Sequence, residues 1–292
     1  MNKELVTFSI NIRIINKLSL FNIKTISYMN IFNFLFYNFL PNNCLICGRT
    51  LKNNNICSHC EISLKPKFNI NRCKLCYKPV NNKYEDYCLY CQQYDIPIRY
   101  IRYIMEYKEL CSIFIKQMKY SSSRKLLDFG SDLLVTNYKK YFGNDFHDII
   151  IPAYSSTKSL EERGFLHTYF LAKNVYKYIK GYKNDVVLAK YTDFPDNYKR
   201  RAHLPLKLRL RYSKININLR KNDIINKKIL FIDDMITTGS SALNLLFELK
   251  ACGFKSFDIY TLGVSKDFYS NFEQSLEVYN KKMLKFYSKY ND

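Results

Sequence analysis

The sequence predicts an α/β protein in which a parallel sheet flanked by helices is preceded by a small cysteine-rich module. Two patterns indicate this fold. From about residue 96 to residue 264, short apolar segments typical of strands alternate with longer segments that carry apolar residues at helical spacing. Ahead of them, eight of the 10 cysteines lie between Cys44 and Cys91. The 292 residues suffice for one ordinary domain and one smaller domain.

Each expected element follows from its own stretch of sequence. Strands are expected over residues 99–107, 148–151, 185–189, 228–232 and 257–264, where Ile, Val, Leu and aromatic residues predominate. Helices are expected over residues 110–118, 125–141, 165–179 and 241–251, and in the charged tail after residue 267. A docking helix is also expected, because one helical face collects Phe32, Leu35, Phe36, Phe39 and Leu40.

These elements divide the chain into four segments. Residues 1–28 are expected to form a disordered extension. Residues 29–95 hold the docking helix and the cysteine module, and residues 96–267 form the α/β domain. Residues 268–292 are a charged C-terminal tail.

The composition of the chain indicates which partners and which cellular compartment to expect. Lys and Arg number 46 against 25 Asp and Glu, which gives a formal charge of +21. Such a charge attracts nucleic acid and phosphorylated ligands. Lysines that only form a solvated surface, without an anionic partner, would give the same net charge. The longest apolar stretch, residues 28–40, is too short to span a bilayer, and no secretory signal pattern precedes it. We therefore expect a cytoplasmic protein without an integral membrane span, in which reduced cysteines hold metal.

The cysteine module consists of four Cys-x₂-Cys pairs. Two such pairs complete the tetrahedral set of four thiolates around a structural Zn²⁺, so eight ligands predict two zinc ions. Consecutive pairing and cross-brace pairing both satisfy the spacing. An iron–sulfur cluster fits the spacing less well, and redox chemistry would need only one pair. The predicted ligands are Cys44, Cys47, Cys57, Cys60, Cys73, Cys76, Cys88 and Cys91.

A second motif follows the apolar strand 229–232. Asp233 and Asp234 come at its carboxyl end, where ligands bind in open α/β sheets. Their carboxylates can accept hydrogen bonds from ribose hydroxyls and attract Mg²⁺. A hydroxyl-rich turn leads into the next helix, where a glycine lets backbone N–H groups approach a phosphate and the helix N-terminus favours its charge. The predicted phosphate-binding residues of this turn are Thr237, Thr238, Gly239, Ser240 and Ser241.

Other nucleotide-binding motifs are absent from the sequence. No glycine is followed by lysine, which excludes a Walker A loop, and no two glycines form a Gly-x-Gly pair, which excludes a Rossmann fingerprint. The remaining alternative is a core strand with two incidental aspartates. That alternative leaves the adjoining hydroxyl-rich turn unexplained.

Residues 229–241 resemble the phosphoribosyl-pyrophosphate-binding motif of type I phosphoribosyltransferases. The order of the cysteine pairs, the Ile150-Ile-Pro segment, the Glu162-Arg163-Gly164-Phe165 segment and this motif resembles the ComF family of bacterial late-competence proteins. The resemblance extends over about residues 30–265. It implies a double zinc ribbon and a type I phosphoribosyltransferase-like sheet.

The resemblance also implies roles for individual residues. The ligand is expected to be phosphoribosyl pyrophosphate with Mg²⁺, and Arg163 is expected to act with Asp233 and Asp234 in the displacement of pyrophosphate from the ribose C1. The loop 152–159 would face the pyrophosphate, and the basic loop 199–211 would cover the site.

Some positions depart from the family pattern. Leu166 and His167 stand where the family has Asn-Gln, and His203 stands where it has Gln. These departures favour ligand binding over turnover.

Two functional hypotheses follow. The first is a phosphoribosyltransferase with an unassigned acceptor, acting in DNA uptake and natural transformation. The second is a non-catalytic zinc-ribbon DNA-binding factor that uses the ribose-phosphate site to sense a ligand or dock a strand end. The expected partners are phosphoribosyl pyrophosphate, single-stranded DNA and other DNA-uptake proteins.

Overall fold

A five-stranded parallel sheet forms the centre of the protein. The computed structural model describes residues 42–52, 54–68, 70–81, 86–93, 97–120, 123–154, 160–161, 164–191 and 217–288. The predicted extension, the docking helix and the basic loop 199–211 lie outside these residues. None of the helices within the described ranges is long and apolar enough to cross a membrane.

The described elements follow the predicted alternation. The strands are β1 (Asn42–Asn43), β2 (Thr50–Leu51), β3 (Tyr100–Met105), β4 (Ile149–Pro152), β5 (Val187–Leu188), β6 (Lys228–Ile236) and β7 (Ser256–Val264). The helices are α1 (Ser58–Leu64), α2 (Leu89–Gln93), α3 (Glu109–Tyr120), α4 (Arg124–Phe142), α5 (His167–Lys180), α6 (Lys221–Ile224), α7 (Ser240–Leu249) and α8 (Phe268–Ser288). A 3₁₀ turn, Lys250–Cys252, extends α7.

The strand order is β3-β7-β6-β4-β5, and every neighbouring pair runs parallel. The carboxyl ends of all five strands therefore lie along one edge of the sheet. Because β6 lies in the middle of this order, residues that follow its carboxyl end lie near the centre of that edge. The prediction of a parallel sheet flanked by helices is confirmed.

Both faces of the sheet are covered. Along β6, Ile229 and Phe231 pack into one core with α7 and α8, and alternation directs Leu230 and Ile232 to the opposite face, against α5. All four of these β6 residues are buried, as expected for a parallel strand with helices on both sides.

A buried polar network joins elements near the amino ends of the strands, on the side of the sheet opposite to their carboxyl ends. The His147 ring lies 2.6 Å from the Tyr138 hydroxyl through Nδ1 and 2.8 Å from Asp258 through Nε2. Asp258 also accepts a hydrogen bond of 3.1 Å from Arg99. Burial lowers the pKa of His147, which keeps the ring neutral near pH 7. The network ties β3, α4 and β7 together at their ends.

The described chain separates into two compact units. One contains Gly48–Asn55 and the described residues up to Cys44, and includes the antiparallel pair β1–β2. The other contains Leu45–Cys47 and Ile56–Asp292. The predicted domain boundaries after residues 95 and 267 are not tested by this division and stay predictions.

Two segments outside the predicted α/β domain contribute to the second unit. The Ile101 N–H of β3 donates to the carbonyl of Leu75, which lies between two cysteine ligands, at 2.8 Å. The tail is helical, as predicted, and α8 buries an apolar stripe against α7. The buried residues of that stripe are Phe268, Phe272, Leu276 and Tyr279.

Candidate functional site

A cleft with about 280 Å³ of empty space lies at the carboxyl end of β6. Asp233 lines it, together with the whole hydroxyl-rich turn. The structure therefore brings one predicted carboxylate and the predicted phosphate-binding residues into one place. The turn residues lining the cleft are Thr237, Thr238, Gly239, Ser240 and Ser241.

Gly239 has the left-handed φ of +69° and caps the N-terminus of α7. A Cβ at this position would lie 2.4 Å from Cδ2 of the Phe272 ring, so the site excludes any side chain. Thr238 Oγ1 donates to Ser240 Oγ at 2.9 Å and accepts from the Ser240 N–H at 3.2 Å. The first N–H groups of a helix have no intrahelical acceptor, so the start of α7 offers donors to an anion.

Asp234 has a different environment from Asp233. It is 3% exposed, lies 2.8 Å from the Lys119 ammonium, and forms a short hydrogen bond with Nε2 of His167. Burial alone would raise the pKa of this carboxyl, but Lys119 and His167 hold it below its ordinary value. Asp234 is therefore an ionised anchor between β6, α3 and α5.

The two aspartates thus point to opposite faces of β6. Asp233 accepts a hydrogen bond of 2.8 Å from the Asp234 N–H and is half-buried. Lys119 and His167 could not be predicted as partners of Asp234, since both are distant from it in sequence and carry no motif. Arg163 and residues 155–159 of the predicted pyrophosphate loop lie outside the described residues.

The eight cysteines form two groups by consecutive pairing. In each group the four Sγ atoms lie within 4.8 Å of one another. Sγ atoms are 3.7 Å apart between Cys47 and Cys57, and again between Cys76 and Cys88. A tetrahedral Zn²⁺ site with Zn–S bonds of about 2.3 Å requires Sγ separations of about 3.8 Å. Both groups therefore fit a structural zinc ion.

The two groups share one local design. Each begins with a turn, here called a knuckle, in which the N–H of the first cysteine donates a hydrogen bond to the carbonyl five residues ahead. The bond runs from Cys44 to Arg49 O at 2.7 Å in the first group and from Cys73 to Lys78 O at 2.8 Å in the second. Each ends at a short helix, with Cys60 in α1 and Cys91 in α2.

The residue directly after the second cysteine of each knuckle has a left-handed backbone. In the first knuckle this residue is Gly48, with φ +74°, and in the second it is Tyr77, with φ +64°. A left-handed conformation costs a non-glycine residue about 1–2 kcal/mol, so Tyr77 stands there against its backbone preference. The second knuckle has no glycine at this position, and the same turn forms around a tyrosine.

We expect purified protein to carry about two Zn²⁺ per chain, because each group supplies four thiolates at zinc spacing. Elemental analysis of protein purified from cells grown without added metal measures the zinc content directly. Cys47→Ser and Cys76→Ser should each reduce the content to about one ion. Iron with labile sulfide, or protein free of zinc, would contradict the assignment.

Comparison with known proteins agrees with the cysteine geometry. Residues 35–92 match the double zinc ribbon domain family. No curated protein matches the chain. A purine phosphoribosyltransferase from Pyrococcus horikoshii Ot3 is similar over 50% of this chain and 87% of its own, with 16% identity and a TM-score of 0.29.

UMP synthase from Leishmania donovani is similar over 58% of this chain and 31% of its own, with 13% identity and a TM-score of 0.27. Both TM-scores are too low to carry an argument about fold or activity. The family match and the two cysteine groups together show a zinc-ribbon module ahead of a parallel sheet flanked by helices.

Proposed function

We propose that the protein binds phosphoribosyl pyrophosphate in the cleft beside Asp233, as a phosphoribosyltransferase-like protein of the ComF type that acts in DNA uptake. One observation carries the proposal. A half-buried carboxylate and a left-handed glycine turn at a helix N-terminus line the same cleft at the carboxyl end of the central strand. A ribose phosphate needs an acceptor for its hydroxyls and N–H donors for its phosphate, and this cleft offers both.

The two sides of the cleft would bind different parts of the ligand. The N–H groups and hydroxyls of the turn bind the 5-phosphate, and Asp233 accepts hydrogen bonds from the ribose hydroxyls. Among the described residues, the groups of three or more metal-ligating side chains are the two cysteine groups. Mg²⁺ would therefore enter with the ligand's pyrophosphate, with Asp233 as its protein carboxylate, which suits an ion that keeps most of its water.

Turnover would require a nucleophile to replace pyrophosphate at C1 of the ribose. Leu166 and His167 differ from the pattern of the resembling family, and His167 is committed to Asp234. We therefore propose ligand binding as the primary property. Pyrophosphate release in the presence of candidate bases tests for transfer separately.

Asp233→Asn should weaken phosphoribosyl pyrophosphate binding about tenfold to hundredfold in isothermal titration calorimetry with Mg²⁺. The reason is the loss of charge-assisted hydrogen bonds worth about 1.5–3 kcal/mol. Affinity for inorganic phosphate should change little, since the turn is intact. Asp185→Asn, at an exposed carboxylate after α5, is the matched control and should bind as the parent does. Equal affinity of Asp233→Asn and parent would refute the site.

A second candidate function is DNA binding without transfer, which the charge of +21 favours. The logarithm of the binding constant for single-stranded DNA should then fall linearly with the logarithm of salt concentration, because bound phosphates release counterions. Fluorescence anisotropy of a labelled oligonucleotide over a range of salt concentrations measures the slope. Affinity that is independent of salt, or no binding at low salt, would remove the electrostatic basis of this function.

A further inference from the structure

We propose that the second cysteine group supports the ligand cleft from within the α/β unit, with Tyr77 as the positioning residue and α8 as the connection. In this arrangement the two metal sites differ in function. Loss of metal from the second group, and not from the first, should impair the cleft. The inference rests on the proposed function for its ligand, but its structural part can be tested without ligand.

The connection begins with the contacts that Tyr77 makes to β3 and its neighbours. Its ring makes edge-on contacts with Tyr103 and Tyr141, with centroids 5.3 Å and 5.2 Å apart, and the Arg72 guanidinium lies 4.6 Å from its centroid. Its carbonyl accepts from Arg72 at 3.1 Å and from the Tyr103 hydroxyl at 3.0 Å. A glycine would form the knuckle turn with less strain and make none of the ring contacts. The tyrosine therefore anchors the knuckle to β3.

The second step leads from β3 to α8. The Tyr103 hydroxyl lies 3.1 Å from the hydroxyl of Tyr269, in the first turn of α8. Lys78, directly after Tyr77, places its ammonium 5.2 Å from the centroid of the Tyr269 ring. One contact from β3 and one from the second knuckle thus reach the same residue in the first turn of α8.

The third step leads from α8 to the cleft. The Phe268 ring packs against Tyr269 with centroids 5.0 Å apart, and against Phe272 with centroids 5.2 Å apart. Phe272 fills the space beside Gly239 into which a Cβ would project. A shift of α8 would therefore move the ring that supports the phosphate turn.

The two metal groups differ in their relation to this core. Cys73, Cys76 and Cys88 belong to the buried cluster that contains Tyr103, Phe268 and Phe272, and Cys91 packs against it. As far as the described residues extend, the four cysteines of the first group are not members of that cluster. The difference predicts unequal effects of matched substitutions.

The test compares Tyr77→Gly with Tyr77→Phe. Glycine relaxes the knuckle, so Tyr77→Gly should keep two zinc ions by elemental analysis while its affinity for phosphoribosyl pyrophosphate with Mg²⁺ falls about tenfold. Tyr77→Phe keeps the ring and should retain the affinity. Without ligand, the amide resonance of Gly239, one of eight glycines, should shift in Tyr77→Gly and stay in place in Tyr77→Phe.

A double variant tests the route through α8. Phe272→Leu alone should lower the affinity, and Tyr77→Gly with Phe272→Leu should lose no more than the larger single loss, because both act on one turn. Fully additive losses would show that Tyr77 acts by another route and would overturn the connection. Cys76→Ser and Cys47→Ser provide the metal comparison, in which only the former should weaken binding.

The outcomes separate the inference from the proposed function. If the parent fails to bind phosphoribosyl pyrophosphate, the proposed function is wrong, and the Gly239 resonance still decides the structural link. If Tyr77→Gly keeps its zinc, its affinity and its Gly239 resonance, the inference is wrong whatever the ligand is. If Cys47→Ser weakens binding as much as Cys76→Ser, the functional difference between the two metal sites is refuted.

Discussion

Replacing Gly239 by valine should abolish binding of both phosphoribosyl pyrophosphate and inorganic phosphate. The backbone has φ +69°, and a Cβ would lie 2.4 Å and 2.7 Å from two carbons of the Phe272 ring. The left-handed backbone costs about 1–2 kcal/mol and overpacking about 1–3 kcal/mol, so about 2–5 kcal/mol of stability should be lost. The turn N–H groups would no longer reach a phosphate, and affinity should fall more than about a hundredfold.

Gly253→Val is the matched control for this experiment. Gly253 has nearly the same backbone, with φ +67°, but open space where its Cβ would be. It should lose only the stability due to the backbone and bind phosphate as the parent does. Calorimetric titration with inorganic phosphate, beside thermal unfolding, separates the two effects. Phosphate binding by Gly239→Val at parental strength would show that the anion binds elsewhere.

The second large effect is expected at Asp234. Asp234→Ala leaves the buried His167 and the partly exposed Lys119 without their shared carboxylate, and breaking a buried ion pair typically costs about 3–5 kcal/mol. Asp233→Ala should cost less, about 1 kcal/mol, because Asp233 is only partly buried and lines the cleft. Urea unfolding at neutral pH measures both variants. Equal loss of stability in the two would contradict the assignment of separate roles.

The same carboxylate predicts the dependence of stability on pH. The folded-state pKa of Asp234 lies below the ordinary value of 3.8. Its stabilising contribution is therefore fully present above that value and is lost as pH falls below it. From pH 6 to pH 3, the free energy of unfolding of the parent should fall more steeply than that of Asp234→Ala.

The different environments of the two aspartates could not be predicted from the sequence. Their pairing at the end of a strand over residues 228–232 suggested a common role at the ligand. The strand continues through Ile236, so both lie within β6, where adjacent side chains point to opposite faces. The alternation was present in the sequence, but the length of the strand was not. Lys119 and His167, the partners of Asp234, come from α3 and α5 and could be recognised only in three dimensions.

The fold itself was largely predictable because its signals are local. Apolar runs and helical spacing predicted the five strands of the sheet and its longer helices to within about four residues of their observed ends, but not the short helix α6. The grouping of the cysteines was not predictable, since consecutive and cross-brace pairing satisfy zinc equally well. The role of Tyr77 was equally hidden, because the strain at its backbone is visible only once φ is known.

The position of the second knuckle beside β3 has a further consequence. β3 ends the sheet, and an end strand presents N–H and C=O groups that can pair with another chain. Here the Ile101 N–H is taken by Leu75, and the Arg102 side chain donates to the carbonyls of Leu75 and Lys74. Chelation of the metal would release this cover and leave β3 as a template for edge-to-edge aggregation between molecules. We therefore expect a metal at this knuckle to limit aggregation of the protein.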